Sequence, residues 1–162
     1  AKGWAGAFLY NPKAKEALDK FYAREDTLSL GICNGCQLMA ELNLINPDHK
    51  HQTHLCHNNS KKFESQFLTL NIPRNNSVMF RTLSGCKLGI WVAPGNPNGS
   101  DYNVAGICSA DGRHLAMMPH LERAIFPWQN GWYPRSRRQD ECTPWLEAFV
   151  NARKWIEEKL KD

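Results

Sequence analysis

No apolar stretch in this sequence approaches the roughly 20 residues needed to span a bilayer. That excludes a helical membrane span, and no membrane partner is expected. Strong charge is also missing. Twenty Lys and Arg against 16 Asp and Glu leave a net charge of +4, too little to point to nucleic acid. There is no phosphate loop of the Gly-x-x-x-x-Gly-Lys-Ser/Thr type, so no ATP site is expected in these residues. No repeat, low-complexity tract or domain boundary stands out, and 162 residues suffice for one domain with its own core. The opening Ala1-Lys2-Gly3-Trp4 shows no signal-peptide pattern and no initiator Met. The expectation is a segment of a longer, cytoplasmic polypeptide.

Cysteine is not scarce: six occur, at 33, 36, 56, 86, 108 and 142. An even count suits disulfides in a secreted protein, and Asn-x-Ser matches at Asn58, Asn75 and Asn98 point the same way. Both signals are weak. A chain of this size needs no covalent staples, and such short matches arise by chance. Reduced cysteines fit the cytoplasm better.

The most informative stretch is Gly31-Ile32-Cys33-Asn34-Gly35-Cys36-Gln37. It follows the apolar Leu28-Ser29-Leu30, read as a strand over 27–33. It precedes a helical pattern over 34–45, with Leu38, Leu42 and Ile45 on one face. A nucleophile flanked by glycines between strand and helix is a nucleophile elbow. Gly31 and Gly35 supply the lack of bulk that a tight turn needs. The helix start favours a thiolate at Cys33, the form that attacks carbonyl carbon. Cys36, one helical turn on, is expected to pack in the core.

Elsewhere, Asn11-Pro12 starts a helix carrying Ala14, Leu18 and Phe21. The polar stretch 48–62 reads as loop, and 66–72 as a strand with Leu68, Leu70 and Ile72 on one side. Residues 88–93 form another strand. Two more, 104–108 and 114–118, flank Ala110-Asp111-Gly112-Arg113 as a hairpin. Thr143-Pro144 caps a last helix with Trp145, Phe149, Ala152 and Ile156 at helical spacing.

A partner for Cys33 lies just past the last strand, in Met117-Met118-Pro119-His120-Leu121-Glu122. In extended backbone, residues two apart project to one side. Glu122 is therefore expected to hold one ring nitrogen of His120 and leave the other for Cys33. That gives nucleophile, base and orienter.

Other classes compete for the same residues. Cys33-x-x-Cys36 with His49, His51, His54, Cys56 and His57 has the ligand types of a zinc-binding module. The Cys-x-x-Cys pair also suits a thioredoxin-like redox site, which leaves His120 and Glu122 unexplained. The basic, aromatic Trp132-Tyr133-Pro134-Arg135-Ser136-Arg137-Arg138 reads as a solvated loop or an interdomain contact. The elbow fits the strand–helix context best, and no metal is expected.

Together these motifs resemble the glutaminase domain of the phosphoribosylformylglycinamidine synthase family, a branch of the class I (triad-type) glutamine amidotransferases. The shared pattern is Gly-x-Cys-x-Gly-x-Gln at 31–37. Asn59-Ser60-Lys61-Lys62-Phe63-Glu64, Asn96-Pro97-Asn98-Gly99-Ser100, Ala110-Asp111-Gly112-Arg113, Met117-Met118-Pro119-His120 and Asn151-Ala152-Arg153-Lys154-Trp155 are similar to that branch. The resemblance covers essentially the whole chain. It implies an α/β, flavodoxin-like doubly wound sheet with a nucleophile elbow. It also implies Cys33, His120 and Glu122 as a catalytic triad, the Asn34 backbone N–H as an oxyanion donor, and Gln37 beside the substrate, L-glutamine. Ammonia would pass to a synthetase domain that binds ATP, Mg and formylglycinamide ribonucleotide, a step of purine biosynthesis. This segment itself is expected to hold no cofactor.

The resemblance also implies that something is missing. The family domain opens with strands and a Gly-Gly loop that supplies a second oxyanion N–H, and Ala1 matches the residue just after it. Loss of one such donor costs about 3 kcal/mol of transition-state stabilisation. The family also has a His-Gly-Glu-Gly segment and several strands where this chain runs directly from Ala93 to Pro94. Leu121 stands where the family has proline. The whole of 1–162 is thus expected to be one partial glutaminase domain.

Overall fold

A computed structural model describes residues 1–92 and 99–161. The Ala93–Pro94 junction, Asn96, Pro97 and the Asn98 glycosylation match lie outside the described residues. The elements run α1 (Lys2–Tyr10), α2 (Pro12–Ala23), β1 (Ser29–Ile32), α3 (Asn34–Glu41), β2 (Gln66–Asn71), β3 (Lys87–Val92), β4 (Gly106–Cys108), β5 (His114–Met117) and α4 (Leu146–Lys159). Short 3-10 turns follow β5, at Leu121–Arg123 and Pro127–Gln129.

The α/β class is as the sequence implies, with a mixed sheet. β5 sits centrally, parallel to β1 and antiparallel to β4, while β2 and β3 form a separate antiparallel pair. The β4–β5 hairpin closes where the Asp111-Gly112 signal placed it. Gly112 has φ 75°, and a Cβ there would strike the Asn76 carbonyl oxygen.

All four residues of β5 are buried, and alternation divides them between two layers. Leu115 and Met117 join the main core with Ile90, Val92, Leu121, Trp145 and Ala148. Ala116 faces Cys36, Met39 and Ile45 on the α3 side. This sandwich fixes the end of β1, and with it the residues that follow.

Three helices differ from the sequence reading. Residues 2–10 form a helix that periodicity did not reveal, because only Ala5 is buried and no single face is apolar. α3 stops at Glu41. Asn43 adopts φ 50°, Leu44 N–H reaches Met39 O at 2.9 Å, and Asn43 N–H reaches Ala40 O at 3.0 Å. That is a Schellman stop with asparagine in the left-handed position. The inward residues of α3 are Cys36 and Met39, not Leu38 and Leu42. In α4 the buried side chains are Ala148 and Asn151, with Trp145 at its start, while Phe149 and Ile156 are exposed. Asn151 faces inward because its amide donates to Met79 O at 3.0 Å and Thr82 Oγ1 at 2.7 Å.

Candidate active site

The chain passes from β1 into α3 through Cys33 alone. Cys33 has φ 52° and ψ −103°, a region that residues with a Cβ rarely enter. Both sides hold it there. Its N–H donates to Met117 O at 2.9 Å, and its C=O accepts the Gln37 N–H at 3.1 Å. The end of the β1–β5 ladder and the first turn of α3 therefore over-determine one strained residue, as functional corners require. This is the geometry of a nucleophile elbow.

Gly31 makes the corner possible. A Cβ there would strike Met39 Sδ and lie 2.8 Å from the backbone of Gly35. Gly35 itself departs from the sequence reading, since a Cβ on it meets nothing within 4 Å. Cys36 points the other way, into the α3–β5 layer. Burial, and secondarily the nearby Cys33, push its thiol up to about 11, which keeps it protonated near neutral pH. That is the packing role expected for it. All six cysteines are free thiols.

His120 follows β5 and is tied to the other sheet by its N–H, which donates to Trp91 O of β3 at 3.0 Å. Its Nδ1 lies 2.7 Å from Glu122 Oε1. The expected pair forms, but through a different backbone. His120 has φ −98° and ψ 80°, and Leu121–Arg123 coil into a 3-10 turn rather than continuing a strand. Arg123 Nε sits 3.5 Å from the same Glu122 oxygen. With Nδ1 engaged, Nε2 is the ring nitrogen left for a thiol or a substrate.

Cys33 and His120 line one cleft of about 790 Å³, a size that suits a small metabolite. Phe63 and Ser65 reach it from the segment before β2, and Trp91 and Val92 from β3. Arg123, Trp128 and Gln129 come from the turns after β5. Phe63 and Trp128 are 82% and 79% exposed, so the mouth is open and aromatic. Trp128 also borders a second cavity, of about 310 Å³, with Trp132, Tyr133 and Arg138. In that basic loop Arg137 is paired with Asp140 at 2.8 Å.

Asn34 is exposed at the first position of α3, where helix N–H groups lack intrahelical partners. Gln37, half-buried one turn on, is not among the residues that line the cleft. The histidines of 49–57 lie on an exposed, irregular stretch, and among the described residues no three His, Cys, Asp or Glu groups gather as a metal site. Pattern reading did not find Ser65, Trp91, Arg123, Trp128 or Gln129. Only Arg123 left a trace in the sequence, a fixed positive charge directly after the Glu of the His-x-Glu pair.

Comparisons with known proteins show the family and the fold. The family model of the CobB/CobQ-like glutamine amidotransferase domain matches residues 1–95 and 91–156. The chain is 37% identical over 203 positions to the probable phosphoribosylformylglycinamidine synthase, chloroplastic/mitochondrial, of Arabidopsis thaliana, covering 97% of this chain and 14% of that protein. It is 36% identical over 207 positions to the phosphoribosylformylglycinamidine synthase of Homo sapiens, covering 96% and 16%. The chain thus spans a small fraction of the curated relatives it matches. The alignments are longer than this chain's 162 residues, so the relatives carry sequence that it lacks. The two family matches meet at 91–95, where the sequence resemblance implied an internal gap. Among solved structures, PurLQS from Thermotoga maritima has the same fold, with TM-score 0.67 and 23% identity over 96% of this chain and 72% of that one.

Proposed function

The chain belongs to the CobB/CobQ-like glutamine amidotransferase domain family, and we propose that it is the glutaminase part of a phosphoribosylformylglycinamidine synthase. One observation carries the reading. A cysteine held at a strained strand–helix corner shares a cleft with a histidine whose Nδ1 is bound by a glutamate.

The chemistry follows from those positions. Cys33 Sγ attacks the side-chain amide carbon of L-glutamine, and His120 takes the thiol proton on Nε2. Glu122 keeps the other nitrogen protonated and stabilises the imidazolium. The oxyanion of the tetrahedral intermediate is met by the Asn34 N–H at the start of α3. Collapse breaks the carbon–nitrogen bond, and His120 returns its proton to the leaving amine, which departs as ammonia. Water then attacks the glutamyl thioester, again with His120 as base; the carbon–sulfur bond breaks, glutamate leaves, and His120 returns the proton to Cys33 Sγ. Gln37 stands beside the substrate site, its N–H donating to the Cys33 carbonyl at 3.1 Å.

The ammonia passes to the synthetase part of the enzyme. There ATP and Mg serve the conversion of formylglycinamide ribonucleotide to its amidine in purine biosynthesis. The compartment proposed is the cytoplasm. No helix among the described residues is long and apolar enough to cross a membrane.

The test separates ammonia formation from ammonia use. In the intact enzyme, Cys33→Ala is expected to lower glutamine-dependent amidine synthesis by about 10⁴-fold or more. Synthesis with added ammonium salt should stay near the wild-type rate. Loss of both activities in a folded variant would refute the assignment.

A further inference from the structure

Among the described residues that line the Cys33–His120 cleft, Arg123 alone carries a fixed charge. The other walls are aromatic, aliphatic or neutral polar. Arg123 is 69% exposed, and its ion-pair contact among the described residues is a long one, Nε to Glu122 Oε1 at 3.5 Å. That oxygen is already engaged more closely by His120 Nδ1, at 2.7 Å. A guanidinium has five N–H donors in a planar fork, and Arg123 lines the cleft with most of its side chain exposed. An exposed cation of this kind is the natural partner of a carboxylate, which it can grip through two parallel hydrogen bonds.

The cleft's proposed substrate brings such a group. Glutamine carries an anionic α-carboxylate four bonds from the amide carbon that Cys33 attacks. When the amide sits at Cys33, the carboxylate must lie farther along the same cleft, and no other described wall residue offers it a charge. We propose that Arg123 binds the α-carboxylate of glutamine and so selects the free amino acid over amides that lack this charge. The inference rests on the glutaminase reading above and deepens it. Arg123 is a substrate-binding residue, while Glu122 orients His120. Both stand on the one 3-10 turn that follows His120.

The experiment compares two substrates on the intact enzyme: L-glutamine and its α-carboxamide, L-glutaminamide, which keeps the side-chain amide but has no carboxylate. Arg123→Met is expected to raise KM for glutamine about tenfold to a hundredfold, the range for a hydrogen bond between charged groups, with kcat little changed. KM for glutaminamide should hardly move, so the preference for glutamine falls by the same factor. Arg123→Lys should restore part of it. An effect through Glu122 alone would lower kcat for both substrates equally and leave the preference intact. That outcome, or no change at all in a folded Arg123→Met variant, would overturn the assignment. A wild-type enzyme without glutaminase activity would instead sink the parent reading.

Discussion

His114 is a buried titratable side chain that weakens this fold in acid. It is 3% exposed and stands opposite Ser29 in the β1–β5 register. Ser29 Oγ lies 2.9 Å from its Nδ1 and 3.1 Å from Tyr22 Oη. The Tyr22 ring packs on it at 4.3 Å, with Phe21 at 6.4 Å. Its Nε2 has no hydrogen-bond partner among the described residues. Burial, and then the charge of Arg113, hold its pKa below the ordinary 6.5, against an opposing pull from Asp111. The unfolded chain therefore binds this proton at a higher pH than the folded one. Stability from neutral His114 is complete above about pH 6.5 and is lost as the pH falls toward the folded pKa. The denaturant midpoint is expected to drop as pH is lowered below about 6.5, and His114→Gln should flatten that part of the curve. Equal slopes in the two proteins would contradict it.

At the scale of the element, the β1–Cys33–α3 corner makes a prediction that separates its two glycines. A methyl at Gly31 would press on the Gly35 backbone, which cannot step aside as a side chain can. Gly31→Ala should therefore cost on the order of 2 kcal/mol, the range for overpacking. Gly35 stands in α3 with open space around it. There alanine should be neutral or stabilising by up to about 1 kcal/mol, because glycine weakens a helix interior. Thermal melts of the two variants check this, and equal losses would contradict it. The corner itself was legible in the sequence, since strand, nucleophile and helix are consecutive. So were β2, β3 and the β4–β5 hairpin, whose alternation and Asp-Gly turn are local signals. The end of α3 was not, because Asn43 stops the helix by adopting a left-handed backbone, inside a pattern that still looks periodic. The inward face of α4 was misread for another reason. Asn151 is polar yet buried, because it satisfies groups at Met79 and Thr82 that lie far away in sequence.

For the molecule as a whole, the same division holds. The residues proposed to react come from two short motifs that were legible in the sequence. The cleft walls come from residues 63–65, β3 and the turn at Pro127–Gln129, brought together only by the packing of the two sheets around β5. Periodicity carries no information about such meetings. Trp91 serves both purposes: its carbonyl anchors the His120 N–H, and its residue lines the cleft. The His120–Glu122 pair was anticipated from spacing, but a 3-10 turn rather than a strand brings it together. The most direct measurement is to treat the intact enzyme with a diazoketone analogue of glutamine and map the adduct by peptide mass spectrometry. Modification confined to Cys33, abolished by excess glutamine and slowed by His120→Ala, is the expected result. An adduct on Cys36 or another cysteine, or none on Cys33 in active enzyme, would contradict the assignment of the nucleophile.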